Sequence, residues 1–470
     1  MRKLSMIAAG LAAFASPAFA ADDPTVPRPI PLTRPDMKVL LEDMKARKPR
    51  IPLPELTAEE KAKIGERGER GGGGYEGRIR ALYMPAGSSQ SFGMGGGGRE
   101  ADPNISLDYK FKTQLFWIVS RTNNCQYCLG HQESKLLGAG MTEDEIAALD
   151  GDWSEHSPAQ KAAYAFARKF TYEPHKLSDA DIDELRKHYK DLQILEMILS
   201  MAGNNSINRW KEGAGVPQSA SGGGFRSKDG APPKEKEPEP ATPRKQTYLT
   251  PTSEAFKSKV TKVAPLQINE KTNQPTQMTA CIRPALEPRA ETEKLLAAAA
   301  ARTPRLPLVE EAKAREILGE TWPAKTPLPQ WVRLVVNFNS GKGRVASERS
   351  AVEKGDLTLL LKAQVSWIIA RQDRAWYATG EAQKRLKALG QTDDQIFALD
   401  GDWSKATPAE QSLYTLARKL AASPVVLTDA DVEKALKLTG PKEVVQLISY
   451  TTNRASFDRI TEAAGLAIEK

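Results

Sequence analysis

The chain has 470 residues, 40% of them apolar and 27% charged, with a formal net charge of +8. This excludes collagen-like, fully disordered and polytopic membrane classes, and leaves room for roughly three average domains. Basic and acidic residues are interspersed, so the positive balance does not point to a nucleic-acid partner.

Arg2 and Lys3 precede an apolar stretch, Leu4 to Ala15, and Ser16-Pro-Ala-Phe-Ala20 ends with small residues two apart. This is the three-part pattern of a cleavable signal peptide over 1–20, too short to span a bilayer stably. The expectation is an exported, periplasmic protein with no stable membrane insertion. Residues 21–34 read as an N-terminal extension.

The chain then repeats itself. Ala148-Leu-Asp-Gly-Asp-Trp-Ser154 recurs letter for letter as Ala398 to Ser404, an offset of 250. The same offset carries Ser157-Pro-Ala-Gln160 onto Thr407-Pro-Ala-Glu410, and Ala214-Gly215 onto Ala464-Gly465. Upstream the offset is 255, with Arg47-Lys-Pro-Arg50 over Arg302-Thr-Pro-Arg305. The repeated unit of about 180 residues is far longer than a solenoid repeat. Two units, 35–216 and 290–470, are therefore expected to pack as a pseudo-symmetric pair.

Each unit reads as all-α. Thr142, Ser157, Ser178, Thr392, Thr407 and Thr428 stand three residues before Glu, Gln or Asp, the spacing of a capping box. Pro158 and Pro408 fit the first helical position, where no N–H is needed. Val332–Asn339 is the best strand candidate. Gly71–Glu100 reads as a flexible loop. Its Gly93-x-Gly95-x-x-Gly98 lacks a preceding strand, so no nucleotide cofactor is inferred. Residues 217–289, rich in Pro, Lys and Glu, read as a disordered linker.

The chemistry centres on Asn124-Cys-Gln-Tyr-Cys-Leu-Gly-His131. A helix ending near Arg121 is followed by a second, capped by Asn123 or Asn124 and beginning at Cys125. Cys125 and Cys128 then share one face, close enough for a disulfide. The helix N-terminus favours a thiolate. His131 is one turn beyond Cys128, where a neutral imidazole can take the thiol proton and an imidazolium can hold the thiolate. Two other readings stay open. The pair can be an inert structural disulfide. Or Cys125, Cys128 and His131 can be three zinc ligands, completed by His156, His175, His188 or Asp108. Haem attachment is excluded because Leu129, not His, follows Cys128.

This block, with Ser157-Pro-Ala-Gln-Lys-Ala-Ala-Tyr-Ala-Phe-Ala-Arg168 and Asn205-Ser-Ile-Asn-Arg209, resembles the AhpD-like (alkylhydroperoxidase) branch of the carboxymuconolactone decarboxylase superfamily. The resemblance covers about 80–216, and reaches 330–466 only through the repeat. It implies an enzyme, an antioxidant thiol–disulfide oxidoreductase. Cys128 would react with a peroxide or disulfide, Cys125 would resolve the product, and a thiol reductant protein would restore the pair. No cofactor or metal is implied, and a homo-oligomer is an option.

Two positions depart from the family pattern. The family histidine falls at Gln132, with His131 one residue earlier, and the family's relay glutamate falls at Thr113. Glu133 is a substitute only if it does not lie on a solvated helix face.

In the second copy Cys125, Cys128 and His131 become Ala375, Ala378 and Glu381, so dithiol chemistry is lost there. The shared Trp153 and Trp403 read as packing residues, the shared Arg121 and Arg371 as structural ion pairs, and Cys281 as a bystander. The alternative function is a non-catalytic helical envelope binding protein. A lactone decarboxylase-like enzyme is a third option.

Overall fold

The computed structural model describes residues 23–31, 34–54, 75–85, 102–218 and 285–469, with gaps at 152 and 402, and the isolated positions 58, 268–269 and 274–275. The signal segment 1–20, the Gly93–Gly98 motif and Cys281 lie outside the described residues.

The chain is all-α. The first unit comprises α1 (Arg34–Asp43), α2 (Tyr75–Tyr83), α3 (Tyr109–Thr122), α4 (Gln126–Gly138), α5 (Glu143–Ala147), α6 (Pro158–Tyr172), α7 (Asp179–Arg186) and α8 (Asp191–Ala214). The second comprises α9 (Arg289–Ala300), α10 (Glu311–Leu318), α11 (Gln330–Val335), α12 (Gly341–Glu353), α13 (Leu359–Asp373), α14 (Trp376–Ala388), α15 (Asp393–Ala398), α16 (Pro408–Ala421), α17 (Asp429–Thr439) and α18 (Pro441–Ala463). Helices α3 to α8 map onto α13 to α18 in order. Among the described residues the only strand pairing is a two-residue antiparallel ladder, Ile268–Asn269 against Gln274–Pro275.

All six expected capping boxes form, and Pro158 and Pro408 open their helices. Behind Ser157, the residues Ala163, Phe166, Ala167 and Phe170 turn a continuous apolar stripe into the core.

Three expectations are corrected. Val332–Asn339 is not a strand: α11 runs through Val335, begun by Pro329 at its cap, and Trp331, Val332, Leu334 and Val335 are all buried. A short run of mostly apolar residues, broken only by Arg333 before Asn337, does not distinguish the two periods. The segment read as a loop contains α2, held from outside. The Tyr75 hydroxyl donates to the Ala214 carbonyl at 2.7 Å and accepts from the Ile51 N–H at 2.8 Å. Finally, the ends of the expected linker are built into the units. The Gln218 N–H donates to the Met44 carbonyl, and Glu287 pairs with Arg371 and Arg374.

The two units meet along α8 and α18 through matched contacts. Arg50 reaches Asp429 and the carbonyls of Leu427 and Glu212. Arg305 reaches Asp179 and the carbonyls of Leu177 and Glu462. These are the same contacts exchanged between copies, as an isologous two-fold interface requires. Gly215 and Gly465, at φ 65° and 61°, end the two long helices where these arginines pass. A Cβ on Gly215 would lie 2.6 Å from Arg50 Cγ, so both the backbone and the contact require glycine. On the axis, Ser423 Oγ accepts from Arg209 at 2.7 Å and from Arg459 at 3.2 Å.

Candidate functional site

Helix α3 ends at Thr122, and Asn124 turns the chain through a left-handed conformation (φ 56°). Asparagine tolerates that region better than most residues. Cys125 is then extended and is itself the N-cap of α4: its Sγ accepts the Cys128 N–H at 3.4 Å. The expected asparagine cap is thereby corrected. Asn124 is committed to the turn, and its side-chain amide donates to the carbonyls of Arg28 and Pro29.

Both sulfurs are free thiols and buried, Cys125 at 0% and Cys128 at 2% exposure. The N-terminal extension lies over this corner. The Gln126 amide donates to the Pro29 carbonyl, and Arg28 donates to Gln126 Oε1. Burial pushes the Cys125 thiol well up, helped by its hydrogen bond with Cys128 and by the Glu212 carboxylate. Cys125 therefore keeps its proton.

His131 stacks on Tyr127 with ring centroids 6.1 Å apart. Burial, then Lys135 and Lys211, bring its pKa down to about 4. It is neutral at ordinary pH, suited to accept a proton and unable to supply positive charge. A cation does stand near the site, Lys211 of α8. Its ammonium pairs with Glu76 of α2, stands 4.3 Å from the Tyr127 ring centre, and interacts electrostatically with Cys128. Arg80 braces Glu76 at 3.1 Å and covers the Trp210 ring at 3.8 Å.

Lys211 and Glu76 escape a motif reading, yet the repeat carried a signal. Lys211 becomes Thr461 while neighbouring Arg209 and Gly215 are kept as Arg459 and Gly465. Glu76 becomes Trp331 in the frame that also equates Arg78 with Arg333, and each of those arginines donates to an equivalent carbonyl, Pro54 or Val309. Cys125, Cys128, His131, Lys211 and Glu76 are thus all replaced in the second unit.

Glu133 does not lie on a solvated helix face. It is fully buried, bridged by Arg34 and by Lys38 at 2.8 Å, and accepts from Trp117 Nε1 at 3.3 Å. The Thr113 hydroxyl donates to the Tyr109 carbonyl within its own helix. Arg121 pairs with Asp150 at 3.0 Å and Arg371 with Asp400 at 3.0 Å, so both are structural. Trp153 and Trp403 each donate to a carbonyl four residues back and are each covered by an arginine, at 4.0 Å. Among the described residues no three His, Cys, Asp or Glu side chains come together to hold a metal. No described helix is long and apolar enough to cross a membrane.

No family model matches the sequence, and no curated protein matches it significantly.

Proposed function

We propose that the chain is an exported thiol–disulfide oxidoreductase of the AhpD-like kind, using Cys128 as nucleophile and Cys125 as resolving thiol. The observation that carries this reading is the joint loss, in a copy that keeps the scaffold, of the two cysteines, His131, Lys211 and Glu76. A purely structural bridge does not account for a histidine and an ion pair leaving with it.

The neutral His131 takes the Cys128 proton, and Lys211 offsets the thiolate charge. The thiolate attacks one oxygen of a hydroperoxide. The O–O bond breaks, and the leaving oxygen departs as an alcohol after recovering a proton. The sulfenic acid on Cys128 is attacked by Cys125, forming the disulfide and releasing water. An external thiol donor returns two electrons and two protons. The second reading, a structural bridge in a binding protein, draws on the burial of both sulfurs.

The test follows Cys125–Cys128 disulfide formation by mass spectrometry after adding cumene hydroperoxide to the reduced protein. Oxidation about a hundredfold faster than a free thiol is expected, and its loss in Cys128→Ser. Cys125→Ser should stop at a sulfenic acid. Oxidation at the free-thiol rate, or a disulfide resistant to reduction, overturns the proposal in favour of the structural bridge. Lys211→Met should slow the step about tenfold, the loss of one charge-assisted contact to the reacting sulfur. An unchanged rate would remove Lys211 from the machinery.

A further inference from the structure

The second unit holds a cavity of about 280 Å³ beside the position equivalent to the dithiol, without Ala375 or Ala378 in its lining. The equivalents of His131, Lys135 and Glu76 are Glu381, Arg385 and Trp331, and all three line it. Replacing Glu76 by tryptophan turns an ionic corner into an aromatic wall. Trp322 and Trp331 meet edge to face at 6.2 Å, and Trp331 and Phe457 at 5.7 Å. The volume is at the small end of ligand pockets and suits one or two fused rings.

The charges at the cavity are matched in pairs. Arg385 bonds Glu381 at 3.0 Å, Arg349 bonds Glu353 at 3.1 Å, and Arg454 bonds Glu348. Arg344, one turn before Glu348 on α12 and outside the lining, adds a fourth guanidinium. Its Nη2 donates to Ser456 Oγ at 3.3 Å. Its Nη1 is buried without a hydrogen-bond partner among the described residues. The Arg344 charge acts on both Glu348 and Arg454. The cluster therefore carries one positive charge in excess, next to flat apolar walls.

We propose that this cavity binds a small planar carboxylic acid, its ring against Trp322, Trp331 and Phe457 and its single negative charge toward Arg454, whose partner Glu348 also faces the Arg344 charge. A cation finds only carboxylates already engaged, and a dianion exceeds the one uncompensated charge. The inference does not depend on whether Cys128 is reactive.

Isothermal titration calorimetry of the full chain with 2-naphthoate tests it, beside 2-naphthalenemethanol and 2-naphthylmethylammonium. Expected is one site per chain, with the alcohol and the ammonium at least about tenfold weaker, the loss of one charge-assisted contact. Trp322→Ala and Arg344→Met should each weaken 2-naphthoate about tenfold, with the fold checked by circular dichroism. If Arg344→Met does not fold, the three-probe comparison and Trp322→Ala still decide. The proposal is overturned by no binding at millimolar probe, by equal binding of the alcohol, by tighter binding of the ammonium, or by unchanged affinity in Trp322→Ala.

Discussion

Arg459→Met is expected to lower the stability of the whole chain by about 3–5 kcal/mol, read as the urea midpoint, because it strands a buried carboxylate at the contact between the units. Arg459 and Asp373 are both fully buried, with Nη1 2.7 Å from Oδ2 and Nη2 3.3 Å from Oδ1. The same guanidinium donates across the interface to the Thr171 carbonyl at 3.0 Å. Burial, and then the Asp373 charge, push the neighbouring Asp458 carboxyl well up, so the pocket tolerates one carboxylate only when a cation answers it.

The first unit supplies the control. There Asn123 and Asn208 stand for Asp373 and Asp458, and the Asn123 amide donates to Asn205 and Asn208 at 2.8 and 3.1 Å. Arg209 donates to the Ala421 carbonyl at 3.0 Å, and Arg209→Met leaves neutral acceptors behind. A smaller loss, about 1–3 kcal/mol, is expected. Adding Asp373→Asn to Arg459→Met should recover much of the deficit. Losses that simply add would show that the ion pair is not the source. Since the units share this seam, one cooperative transition is expected.

The repeat and its helix starts were legible because their causes are local. A hydroxyl three residues before a carboxylate makes the same cap wherever it occurs, and the duplication wrote each cap twice. What escaped was set by distant chain. Glu133 occupies an ordinary helical position, and only the arrival of Arg34 and Lys38, about a hundred residues earlier in sequence, makes it a buried ion. The second copy has Gln383 there. Helix α2 lies among glycines and is held by Tyr75 and Glu76 reaching Ala214 and Lys211. At the site, the C-x-x-C and His131 were legible as chemistry, but their environment was not. That Cys125 caps its own helix, that His131 stays neutral, and that the nearby cation is Lys211 all follow from packing of α2 and α8 on α4.

Glu133→Gln is expected to cost about 3–5 kcal/mol, because it leaves Arg34 and Lys38 buried with Glu143 as the carboxylate they still share. Arg34, Lys38 and Glu143 bring their charges to Glu133 from α1 and α5, and this cluster fixes the back of the helix whose first turn carries Cys128. The two cations overcome the cost of burial and hold the Glu133 carboxyl down at about 2, against an ordinary value of 4.5. A carboxyl lowered in the folded state stabilises above its unfolded pKa, and that contribution disappears as pH falls from about 4.5 to about 2. At 1.36 kcal/mol per pKa unit the contribution is about 3 kcal/mol, the same size as the expected loss on substitution. The stability difference between the parent protein and Glu133→Gln should therefore be full at pH 6 and close through that acid window. A difference that stays constant down to pH 2 would assign the loss to packing and not to charge. The second unit gives up the buried carboxylate and one of its two cations. Gln383 replaces Glu133, Glu293 replaces Lys38, and Trp367 Nε1 turns to Asp400 at 2.8 Å. Lys38 left with Glu133 while Arg289 and Asp393 keep the places of Arg34 and Glu143, so Glu133→Gln combined with Lys38→Met should be milder than Glu133→Gln alone.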